Sequence, residues 1–102
     1  MSVIKITADN FEQEVLNNPK PVLIDFYADW CGPCMMVAPL VKEIAEENPQ
    51  YTVGKVNVDE EPLLAQKFGI MSIPALYVVK DGQITAENIG AVPKETILKM
   101  FE

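Results

Sequence analysis

Histidine and arginine are absent from this 102-residue chain, and cysteine occurs only twice. Without histidine, no Cys-His or Ser-His pair can activate a nucleophile. Structural zinc normally takes four Cys or His ligands, so a metal site could only be one shared between two chains, and none is expected. Positive charge rests on lysine alone, eight residues against 15 Asp and Glu, for a formal net charge of −7. That balance argues against nucleic acid, whose phosphates need a basic face. No apolar run approaches the ~20 residues of a membrane-spanning helix, so no membrane partner is expected. Residues 1–7 have neither a charged n-region nor a long apolar h-region, so no signal peptide is expected either. The expected location is then cytoplasmic, a reducing compartment in which a Cys-x-x-Cys pair is usually transient and catalytic. The 49 % hydrophobic and 23 % charged content is that of an ordinary globule, and residues 1–102 suffice for a single domain with its own core. No repeat, low-complexity tract or linker interrupts it.

Both cysteines fall in Trp30-Cys31-Gly32-Pro33-Cys34. An apolar run, Val22–Tyr27, precedes the motif and reads as a buried strand. Residues 35–47 follow with helical apolar spacing. Two cysteines at a strand-to-helix junction within a βαβ pattern are a redox signature. The N-terminus of a helix carries unpaired N–H groups and roughly half a positive charge. A thiolate at Cys31 gains from both, so Cys31 reads as an exposed nucleophile with a lowered pKa. Cys34, one helical turn on and on the same face, is within bonding reach. Pro33 fits a first helical turn and stiffens the loop. The plainer reading, a structural disulfide, is weak because so short a loop constrains the unfolded chain little.

Along the chain, residues 3–6 read as a short strand. Asp9 and Glu12 have capping-box spacing for a helix whose stripe is Phe11, Val15 and Leu16, ended by Pro19 and Pro21. Val22–Tyr27 is apolar on both faces, as a central parallel strand should be, with Asp25 the one violation. The helix after Cys34 sets Met36, Val37, Leu40, Val41 and Ile44 on its apolar face, with the methionines read as core filling and Pro39 as a kink. Residues 52–58 form a strand with Lys55 in its middle. Residues 59–62 start a short helix that buries Leu63, Leu64 and Phe68 and closes at Gly69. Ile73-Pro74 leads into a strand at 75–79. Lys80-Asp81-Gly82 signals a hairpin, and Gln83–Ile89 returns antiparallel. After a break at Gly90, Pro93 opens a last helix facing inward with Ile97, Leu98 and Phe101. The order β-α-β-α-β-α-β-β-α implies an α/β fold, a mixed central sheet flanked by helices on both faces.

With these residues in place, the sequence resembles the thioredoxins essentially end to end. The likeness is carried by Ile24-Asp25-Phe26-Tyr27-Ala28, the motif 30–34, Pro39, Lys55, Ile73-Pro74 and Gly90. It implies a thioredoxin-like fold and a protein-disulfide reductase in which Cys31 attacks and Cys34 resolves. It also implies a cis bond before Pro74 beside the cysteines, and a buried Asp25 acting as proton acceptor. Partners would be disulfide-containing target proteins and a thioredoxin reductase, often an NADPH-dependent flavoenzyme. No cofactor of the chain's own is expected, and a monomer is. Three positions depart from the family's usual residues. Tyr27 stands where many members have a second tryptophan, Met71-Ser72 where Arg-Gly or a similar pair is common, and Ala75 where threonine is frequent.

Disulfide exchange needs a thiolate, an accessible sulfur and a groove for the target's backbone. Trp30, Gly32, Pro33, Met71, Ile73, Pro74, Gly90 and Ala91 are the groove candidates. Core packing is the lesser reading of Trp30, whose place beside the cysteine points to a mixed role. Pro74 reads equally as a turn leading into a strand and Gly90 as a simple strand break, and the resemblance decides both toward function. Proton acceptance by Asp25 is chemically sound, because desolvation raises a carboxyl pKa toward neutrality. An Asp25–Lys55 ion pair held for structure is the bland alternative. Two rival functions stand beside reduction: a disulfide oxidase or isomerase, and a non-catalytic partner subunit using the apolar rim around Trp30.

Overall fold

The computed structural model describes residues 2–102. Strands β1 (Ile4–Lys5), β2 (Val22–Tyr27), β3 (Thr52–Asn57), β4 (Ala75–Lys80) and β5 (Gln83–Ile89) form one mixed sheet in the order β1-β3-β2-β4-β5. β3 runs parallel to β1 and β2, whereas β4 is antiparallel to β2 and β5 to β4. Three α-helices are described, α1 (Gly32–Glu47), α2 (Pro62–Lys67) and α3 (Lys94–Lys99). The α/β class and the mixed sheet agree with the order of elements expected from the sequence.

Alternation along the central strands divides the interior in two. Val22, Ile24 and Phe26 of β2 join Ala75, Tyr77 and Val79 of β4 in one core, closed by Phe11, Val15 and Leu64. Leu23 and Leu76, one residue out of phase, join Val37, Val41 and Ile44 of α1 and Ile97 and Phe101 in the other. Each such side chain contributes roughly 1.5–3 kcal/mol when fully buried. Asp25 shares the phase of Leu23, so it points toward the α1 side of the sheet. The β4–β5 turn has Asp81 at φ 51° and Gly82 at φ 78°, the left-handed pair that a two-residue hairpin needs and that glycine adopts without strain.

Several local expectations give way. The first helical segment is a single π-helical turn, Glu12–Leu16, closed by Asn17 N–H donating to Glu12 O at 2.9 Å. Asp9 does not cap it. Asn10 does the local tying instead, accepting from Thr7 N at 2.8 Å and donating to Lys5 O at 2.9 Å. Leu63 is exposed, because only Leu64 of α2 turns toward the sheet. Met35 and Met36 are exposed rather than core-filling: α1 buries Cys34, Val37, Val41, Ile44 and Ala45 along its sheet-facing stripe.

Candidate active site

The motif lies where β2 gives way to α1. Cys31 is the N-cap residue, extended at φ −90° and ψ 109°, and helical geometry starts at Gly32 with Pro33 in the first turn. Its sulfur accepts a hydrogen bond from Cys34 N at 3.2 Å. This is the capping role a serine oxygen usually fills, and it places Cys31 Sγ at the positive end of the helix. Cys31 and Cys34 form a disulfide with a Cα–Cα distance of 5.3 Å. Both are buried, at 5 % and 3 % exposure, so the open Cys31 expected from the sequence is not found in the oxidised pair. The covering comes from far along the chain: Cys31 Sγ sits 3.8 Å from the carbonyl oxygen of Ile73.

The groove candidates gather unequally. Trp30 is 72 % exposed, which rules out core packing, and its indole Nε1–H donates to Asp59 Oδ2 at 2.9 Å. It faces Met71, Ser72 and Ile73 across a cleft of about 370 Å³. Met71 is 95 % exposed, and Gly32 and Pro33 are exposed beside the disulfide. The Ile73–Pro74 bond is cis. Gly90 N donates to Pro74 O at 2.8 Å from φ +99°, a conformation that few other residues adopt. Gly90 thus binds the end of β5 to the proline loop. Ala91 lies on the α1 side, in a separate shallow cleft with Met36 and Leu40.

On the other side of the disulfide, Asp25 is 4 % exposed, and its Oδ1 is buried without a hydrogen-bond partner. Burial pushes its pKa up from 3.8 to about 7, and the Lys55 charge pulls weakly the other way. Asp25, Lys55 and Cys34 line one cleft of about 250 Å³. Strand register sets Lys55 directly opposite Asp25.

The sequence reading did not single out Asn57 and Asp59. Buried Asn57 accepts from Asp59 N at 2.9 Å and Glu60 N at 3.3 Å through Oδ1, shaping the turn that aims Asp59 at Trp30. An Asn ending a strand with an Asp two residues on is the available signal for such a turn.

This arrangement can make and break one disulfide beside an apolar groove and a buried carboxyl. The family model described as Thioredoxin matches residues 2–102. The chain belongs to the thioredoxin family. "Thioredoxin 1" of Synechococcus elongatus is 54 % identical over an alignment covering 100 % of this chain and 97 % of that protein. "Thioredoxin" of Pyropia yezoensis is 52 % identical over 95 % of this chain and 92 % of its own length. "Thioredoxin" of Streptomyces clavuligerus is 45 % identical over 92 % of this chain and 88 % of its own. This thioredoxin-family chain is a thiol-disulfide oxidoreductase whose redox pair is Cys31 and Cys34. Among the described residues, no helix is long and apolar enough to cross a membrane.

Proposed function

We propose that the chain reduces disulfides of target proteins and is itself re-reduced by a thioredoxin reductase. The observation that carries this reading is the Cys31 sulfur at the N-cap of α1, accepting from Cys34 N at 3.2 Å. A thiolate at Cys31 would keep that bond and the helix dipole, so it is the better nucleophile of the pair. Cys31 attacks a target sulfur, forming a mixed disulfide and expelling the target's second sulfur as a thiolate. Cys34 then loses its proton to the Asp25 carboxylate and attacks Cys31 Sγ. The intramolecular bond forms, and the target leaves reduced. Lys55 supports the charge on Asp25. Trp30, Gly32 and Pro33 form one wall for the target strand and Met71, Ile73 and Pro74 the other, with Gly90 holding the proline loop and Ala91 in the adjoining cleft beside Met36. Residues 1–102 act as one domain and a monomer in the cytoplasm, with neither membrane nor nucleic acid as partner.

The test is trapping. Cys34→Ser should accumulate mixed disulfides through Cys31 and stall insulin reduction, whereas Cys31→Ser should trap nothing. In the reduced native protein, iodoacetamide at neutral pH should label Cys31 first. Preferential labelling of Cys34, or full activity in the double serine variant, would overturn the roles assigned.

A further inference from the structure

Tyr27 and Asp25 are two residues apart on β2, so they face the same side of the sheet, and the residue opposite Asp25 on β3 is Lys55. Oppositely charged residues facing each other across a strand pair are placed to bond. Among the described residues, however, no salt bridge joins them. The Lys55 ammonium lies instead 5.7 Å from the centroid of the Tyr27 ring, inside the ~6 Å reach of a cation–π contact. Asp25 Oδ1 is left buried and unpartnered.

The other charged and titratable groups around Asp25 do not replace Lys55. Lys42 and Glu46 reach the outer cleft from the exposed face of α1 and carry opposite charges. Asp29 and Cys34 share the inner cleft. β4 presents only Leu76. Lys55 is therefore the cation that strand register fixes opposite the carboxyl, and the Tyr27 ring is what it rests against.

We propose that Tyr27 is a positioning residue for proton exchange: its ring holds the Lys55 ammonium out of an ion pair with Asp25, leaving the carboxylate free to take the Cys34 proton. The proposal rests on the role given to Asp25 above. In the step concerned, the Cys34 S–H bond breaks and the proton passes to Asp25. The Cys34 thiolate then bonds to Cys31 Sγ as the bond from Cys31 to the target sulfur breaks. A carboxylate locked to an ammonium would be stabilised as the anion and would be a poorer acceptor.

Carbon-13 NMR of the aspartate carboxyls in the oxidised protein, where Cys34 does not titrate, reads the Asp25 midpoint directly. Tyr27→Leu should lower it by about one pH unit, the low end for an opposite charge brought within 4–6 Å. Tyr27→Phe, which keeps the ring, should leave it in place. Adding Lys55→Leu to Tyr27→Leu should cancel the drop. An unmoved midpoint in Tyr27→Leu, or a drop that persists without Lys55, overturns the proposal. The native protein gives an independent reading should Tyr27→Leu fail to fold: the Lys55 ε-methylene protons should be shifted upfield by the Tyr27 ring, and their normal position would equally overturn it. Target release from the Cys31 mixed disulfide should follow the lowered midpoint in Tyr27→Leu. A midpoint that moves while the release profile stays fixed supports the placement of Lys55 and overturns the role of Asp25 instead.

Discussion

At the scale of single residues, the unusual group is Asp25, a carboxyl buried in an otherwise apolar strand. Asp25 titrates at about 7 when folded, against 3.8 ordinarily, chiefly because burial disfavours its charge. Below about pH 4 it is protonated in both folded and unfolded chains and stability is unaffected. Above that, the native state holds the proton that the unfolded chain has released, so stability falls as pH rises. The full penalty, ~4 kcal/mol at ~1.36 kcal/mol per pH unit, is present above about pH 7. Between pH 5 and pH 8 the native protein should therefore lose about 2.5 kcal/mol from this group. Asp25→Ala should flatten that dependence and melt at higher urea than the native protein at pH 8, less what its cavity costs. Urea melts at the two pH values check it, and a variant less stable at pH 8 would return Asp25 to a structural role. Asp25 was legible in the sequence because it is the lone acid in an apolar strand. The Tyr27–Lys55 contact was not, since nothing in either residue's own neighbourhood says where an ammonium will settle.

At the scale of elements, periodicity carried most of the reading. β2, α1 and the β4–β5 hairpin follow from apolar runs, helical spacing and Asp81-Gly82. Three features escaped because distant contacts decide them. Asn10, not Asp9, ties down the start of the π-helical turn through Thr7 and Lys5. The sheet-facing stripe of α1 leaves Met36 outside. The burial of Cys31 depends on Ile73, 42 residues away. Gly54 is an element-scale constraint of the same kind. It sits in β3 opposite Ile4 and Ile24, and a Cβ there would come within 2.7 Å of Ile6 Cγ1. Ile6 is fully buried, so its side chain would have to repack within the core. Gly54→Ala should cost about 1–3 kcal/mol, the usual range for overpacking. The measurement that checks it is a urea midpoint lowered relative to the native protein.

For the molecule as a whole, the sheet carries a core on each face, while the two cysteines with Ala28 form a small third cluster at one end. The exposed apolar residues nearest to it, Trp30, Met35 and Met71, lie at that same end. Whatever supplies electrons and whatever receives them must therefore occupy the same ground in turn. Turnover should follow a double-displacement pattern, with parallel lines in double-reciprocal plots of rate against target at several donor concentrations. Intersecting lines would mean that donor and target sit on the protein together. The same crowding makes each partner a competitor of the other. In a mixture, a large excess of oxidised target should slow the cycle by occupying the oxidised carrier before the donor can reach it, so flux through this carrier peaks where neither side is abundant.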